Sequence, residues 1–173
     1  MSVERPADAL ALHRSADAFA LREDQLKLGL WMFLATVTML FAAFTSAYIV
    51  RRSGSDWQHV ALPSILWVNT GVLAASSLAL ELRRPRTAFL IGLGFLAGQM
   101  AAWRQMVAAG VYLPTSPHSS FFFMMTGAHA LHVVAALVVL AWGVKTSRLS
   151  AARTFWHYLG GVWLFLLAVV SWL

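Results

Sequence analysis

Three histidines stand in stretches that are otherwise apolar: His129, His132 and His157. His129 and His132 are three residues apart, so on a helix they share one face, with Thr126 a turn earlier. Asn69 and Gln99 are neutral polar residues in similar company. An ionisable side chain inside a membrane is costly to keep there, which makes it a functional candidate by default. Two chemistries are open to these residues. His157 opposite His129 or His132 would supply the axial pair of a b-type haem, provided the helices face each other. Alternatively, the imidazoles are neutral and hydrogen-bond across helices to Trp, Thr, Gln or backbone groups. A zinc or copper site would need a third or fourth ligand, and no Cys, Asp or Glu stands at a matching depth. The structural role is therefore the expected one, with no catalytic, cofactor-binding or metal-binding residue assigned. No acidic pair lies within the apolar stretches to relay protons, Glu81 being at a helix end. Neither a glycine-rich phosphate loop nor a G-x-S-x-G nucleophile setting is present.

The elements that must position these residues are membrane helices. Of 173 residues, 60% are hydrophobic and 12% charged, against about 25% charged in a soluble domain. The 23 residues from Leu28 to Val50 hold no Asp, Glu, Lys, Arg or His. As a helix this run spans roughly 34 Å, enough for a hydrocarbon core of about 30 Å. Four further apolar stretches follow, at about 62–82, 87–110, 120–144 and 154–173. Pro63, Pro85, Pro114 and Pro117 all lie at or near their edges, where a missing amide donor does no harm. Short connections make consecutive helices antiparallel, so the expected fold is all-α, an up-down bundle of five transmembrane helices. Residues 1–27 are different in kind: polar, with the residues from Asp17 to Gln25 able to form a short surface helix or a frayed tail. They lack the apolar core and cleavage site of a signal peptide.

Charge sets the expected orientation. Ten Lys and Arg residues lie in the tail (Arg5, Arg14, Arg22, Lys27), the second loop (Arg83, Arg84, Arg86) and the fourth loop (Lys145, Arg148, Arg153), against Arg51 and Arg52 alone on the opposite side. Positive residues mark the cytoplasmic face, so the N-terminus is expected inside and the C-terminus outside, in a multi-pass protein of the inner (plasma) membrane. The net charge of +6 is thus used by topology, and no nucleic-acid partner is expected. With no cysteine, disulfides, thiolate zinc sites and iron–sulfur clusters are excluded. Because lipid tails are as apolar as leucine, helices must associate through small residues that allow close approach. Gly71, Ala75 and Ala79 form one such line, Gly94, Gly98 and Ala102 another. Trp103 falls near an interface, and Arg104 can extend its guanidinium to the headgroups.

The run Thr126-Gly127-Ala128-His129-Ala130-Leu131-His132-Val133 is similar to the T-G-F-H-G-L-H-V signature of the haem-copper oxidase subunit III family. Trp156-His157-Tyr158, followed by Val162-Trp163-Leu164-Phe165-Leu166, resembles the ending W-H-F-x-x-x-V-W-L-F-L. Trp31 to Thr36 resembles W-F-F-L-x-S, and Leu93, Gly94, Leu96 and Gln99 resemble the span before the histidine pair. The likeness runs from about residue 28 to 173. Members commonly have seven helices, and this chain resembles a five-helix form lacking the first two. The resemblance implies a colourless accessory subunit of a terminal cytochrome c oxidase, carrying no cofactor of its own. Haems and copper would belong to subunit I and its partner subunit II, and bound phospholipid is expected. It also implies that Trp31, Gln99, Trp103, Arg104, His129, His132, Trp156, His157 and Trp163 are structural or lipid-contact residues. Where many relatives place buried acids, this chain has Val37, Ala102 and Gly160, which argues against a proton-antenna role. Two other readings stand beside this one: the homologous accessory subunit of a nitric oxide reductase, and a haem-b membrane anchor of a dehydrogenase.

Overall fold

The computed structural model describes residues 6–58, 60–146 and 149–172, with side chains from Gln25 onward. The described residues form five α-helices and no strand: α1 (Pro6–Arg52), α2 (Ile65–Glu81), α3 (Pro85–Ala108), α4 (Pro117–Thr146) and α5 (Ser150–Trp172). Each expected apolar stretch is helical. The helix α1 runs without interruption across residue 28, so its backbone joins the polar N-terminal segment to the apolar run. Among the described residues, three segments are long and apolar enough to cross a bilayer: Gln25–Arg52, Pro117–Thr146 and Ser150–Trp172. The helix α2 is equally apolar but has 17 residues, and α3 has 24 residues diluted by Arg86, Gln99, Arg104 and Gln105.

The turns that reverse the chain are built from local chemistry. After α2, the N–H of Arg84 donates to the Ala79 carbonyl at 2.9 Å while Arg83 takes φ +57°. After α3 the same pattern recurs, with Val111 N–H on the Met106 carbonyl at 2.9 Å and Gly110 at φ +78°. Both are Schellman endings, which satisfy carbonyls that the last helical turn leaves open. Glycine adopts the left-handed conformation freely, whereas Arg83 does so against a steric cost. Pro85 then starts α3 at a position where its missing N–H is not needed.

The chain divides into two units, Met1–Val37 and Thr38–Leu173. In the first, the described side chains of α1 expose Leu26, Leu28, Trp31 and Met32, and Thr36 returns its hydroxyl to the Met32 carbonyl at 3.0 Å. In the second, α2 packs on α3, α3 on α4 and α4 on α5, and α5 returns to α2 to close a ring of four helices. The rest of α1 lies along this ring: Phe41 meets His129 and His132, Tyr48 meets His118 and Phe121, and Thr38 shares a hydrogen bond of 2.8 Å with Tyr158.

Helix rotation decides which small residues seat a neighbour. The helix α2 turns Asn69, Leu73, Ser76 and Leu80 inward, which leaves Gly71 and Ala75 on its exposed face. Gly94 is exposed as well, while Gly98 lies directly against the Asn69 side chain. A close contact that the small-residue lines did not single out is at Gly92, where a Cβ would come within 2.6 Å of the Trp156 ring and 2.8 Å of Leu137.

Candidate functional site

The middle of the ring holds a buried polar and aromatic layer. The His129 side chain on α4 is fully buried, with the Trp163 ring of α5 at 5.3 Å, Phe95 of α3 at 6.0 Å and Phe41 of α1 at 6.4 Å between centroids. Phe95 and Trp163 meet edge to face at 5.0 Å, a favoured geometry for aromatic pairs. The two indoles are tied to threonines on the next helix. Trp163 Nε1 donates to Thr70 Oγ1 at 2.9 Å, joining α5 to α2, and Trp103 Nε1 donates to Thr126 Oγ1 at 3.1 Å, joining α3 to α4. Between α2 and α3, Asn69 Nδ2 donates to the Phe95 carbonyl at 3.1 Å and Ser76 Oγ to the Ala88 carbonyl at 2.8 Å. Each of these bonds crosses between helices, where van der Waals packing and polar contacts take the place of a hydrophobic drive.

Not every buried polar atom here is satisfied by a protein group, the indole nitrogen of Trp156 among them. Both side-chain nitrogens of His129 and both polar atoms of Gln99 are buried without a hydrogen-bond partner. An unpaired buried polar group costs about 1–3 kcal/mol. Trp156 is buried too, its ring filling the space beside Gly92.

The other two histidines of the sequence argument lie elsewhere. His132 is half-buried and donates from Nδ1 to the Ala128 carbonyl of its own helix at 2.7 Å, with its ring 5.8 Å from Phe41. His157, a candidate within the last apolar stretch, is exposed at the end of the ring where α2 finishes. Its Nε2 meets Glu81 Oε1 at 2.7 Å, and Arg153 Nη2 meets the other carboxylate oxygen at 2.5 Å. It lies about two turns from the start of α5 at Ser150, close to the helix end. His157 is therefore not opposite His129 or His132, and the axial pair that a b-type haem needs is not assembled from these residues. Among the described residues no group of three or more His, Cys, Asp or Glu gathers.

At the opposite end, the structure adds a residue absent from the sequence argument. His118 is buried, accepts from the Val60 N–H at Nδ1 (3.4 Å) and donates from Nε2 to the Val170 carbonyl (3.4 Å). It thereby clamps the α1–α2 connection to the end of α5, within an aromatic group of Tyr48 and Trp57. Its neighbour Pro117 marked the segment as loop, although that proline in fact opens α4. The remaining candidates sit outside the layer: Arg104 is exposed and Trp103 half-buried on α3, and Trp31 is exposed on α1. Ala102 is fully buried, and a Cβ at Gly160 would meet open space.

No protein-family model matches the chain. Individual relatives do. The chain is 27% identical to the cytochrome bo(3) ubiquinol oxidase subunit 3 of Pseudomonas putida, with 83% of each chain covered. It is 28% identical to a probable cytochrome c oxidase subunit 3 of Mycobacterium bovis, over 86% of this chain and 88% of the relative. To the cytochrome c oxidase subunit 3 of Bacillus sp. it is 24% identical, with 83% of each covered. Each of these likenesses covers at least 83% of this chain. Relatives named oxidase subunit 3, at 24–28% identity over more than four-fifths of the chain, support its placement in the haem-copper oxidase subunit III family.

Proposed function

We propose that this chain is the accessory, non-redox subunit III of a terminal cytochrome c oxidase, holding the catalytic subunit in shape and binding phospholipid. The observation that carries this reading is the role of the signature residues themselves. Thr126, His129 and Trp163 spend their polar and aromatic groups on packing one helix against another. That is the work of a scaffold. In this reading subunit I holds the haems and its copper, subunit II passes electrons to it, and the present chain contributes no cofactor.

All five helices cross the inner (plasma) membrane, with the N-terminus cytoplasmic and the C-terminus outside. The ten-to-two distribution of Lys and Arg supports this placement. Arg104 and Trp31 lie on exposed surface, where a guanidinium and an indole suit lipid headgroups and the interface. Trp103, Trp156 and His157 serve helix packing, and His132 caps a carbonyl of its own turn.

The test is purification of the tagged chain from its native membrane in mild detergent. A co-purifying haem-copper subunit together with a CuA-bearing subunit II is the expected result. Recovery with a haem-copper subunit and a c-type cytochrome subunit, without CuA, would instead favour the nitric oxide reductase reading, to which Val37, Ala102 and Gly160 are also suited because that enzyme does not pump protons. Recovery with a flavin-bearing dehydrogenase would overturn both.

A further inference from the structure

Gln99 and His129 share a level in the bundle. Phe95, one turn before Gln99 on α3, has its ring 6.0 Å from that of His129. Trp103, one turn after it, donates to Thr126, which stands one turn before His129 on α4. Gln99 is therefore bracketed by two residues that both touch the helix face carrying His129. Neither side chain is exposed, and none of their four polar atoms has a protein partner. The rings around His129, those of Phe41, Phe95 and Trp163, present carbon faces and edges rather than hydrogen-bonding groups. The indole of Trp163 is already committed to Thr70.

The chemistry of the two side chains selects the ligand. A neutral imidazole has one donor and one acceptor, and a primary amide has two donors and an oxygen with two lone pairs. A group that both donates and accepts, in any orientation, complements both at once. The side chains that hydrogen bonds and ring contacts bring to this level are Asn69, Thr70, Thr126 and aromatic rings, none of them charged, so neither an anion nor a cation finds a counter-charge among them. We propose that a water molecule is bound inside the bundle between Gln99 and His129, forming a polar bridge from α3 to α4. Such internal waters bind where buried polar groups would otherwise stay unpaired, commonly with about three hydrogen bonds each. The bridge joins the two helices at mid-depth, where no direct bond between these side chains does so. It is independent of which oxidase or reductase the subunit serves.

Water-edited solid-state NMR on the isotope-labelled full chain in native membrane vesicles tests this. Polarisation starting on water protons is expected to reach the His129 ring nitrogens and the Gln99 amide at mixing times as short as for the exposed His157. The buried Trp163 indole, bonded to Thr70, should lag several-fold. In a Gln99→Met variant, transfer to His129 should fall at least threefold while Trp163 is unchanged. Transfer to His129 no faster than to Trp163 in the unmodified chain would overturn the proposal, as would a direct His129–Gln99 contact signal without water transfer. Should the variant fail to assemble, the spectrum of the unmodified chain decides the question by itself.

Discussion

His129 and His157 carry the same side chain and belong to motifs of the same family, yet they live in different physical worlds. His129 is walled by three aromatic rings and touches no charge. His157 sits at the end of α2, sharing one carboxylate with Arg153, and its side chain is 40% exposed. At mid-bundle, stability rests on shape, because the rings fill space that nothing else can fill. At the Glu81 end it rests on charge, which water and salt weaken. The comparison teaches that residues picked out together by a motif need not work together. One pins the interior of the ring, and the other ties two helix ends.

The largest expected effect falls on the interior. His129→Ala empties a site between three rings and should cost about 2–5 kcal/mol, the range for large-to-small changes in packed cores. His157→Ala should cost much less. Equal losses for the two, read as unfolding midpoints in detergent, would break the comparison. Next comes Gly92→Ala, whose Cβ would press on the Trp156 ring and on Leu137. Overpacking of this kind costs about 1–3 kcal/mol, more than alanine returns through its higher helix propensity. Gly71→Ala, with open space around its Cβ, should be neutral or stabilising by up to about 1 kcal/mol. A Gly71 variant as damaging as the Gly92 one would place a partner on the exposed face of α2.

Smaller effects sharpen the polar half of the contrast. Trp163→Phe keeps most of the ring and removes one bond to Thr70, and such bonds average about 0.6 kcal/mol in membrane proteins, reaching about 1.7. Glu81→Gln takes a partner from both Arg153 and His157 at once. Its effect should be visible at low ionic strength and vanish near 1 M salt, where screening reaches down to about 3 Å. Loss that persists in high salt would mean that this end is not governed by charge.

The smallest effect concerns the connection after α1. A hydrogen bond and the charge of Arg51 hold the Asp56 carboxyl below the usual carboxylate range. A lowered folded-state pKa adds stability that is fully present above the unfolded value of about 3.9 and lost as pH falls through the lower folded value. Proteolysis of the connection should thus be pH-independent near neutrality and rise only in acid, and Asp56→Asn should abolish that acid response. An acid response that survives in this variant would assign it to another group.

What the sequence by itself determined were the helices, their order and the family resemblance. Long runs without charge leave helix as the form that satisfies every backbone group in lipid, and this is a local property. The prolines and glycines that end each run are local too, as at Pro85 and Gly110. The motif around His129 was legible because its residue types and spacing stand close together in the chain. Rotation of each helix about its axis was not legible. In a soluble helix the polar face points to water and reveals the rotation, whereas a membrane helix is apolar all round. Only the tertiary packing therefore decided that Gly92 rather than Gly71 meets a ring, that His157 faces Glu81 rather than His129, and that His118 joins three segments. Each of these depends on what a neighbouring helix, distant in the chain, presents at the same depth.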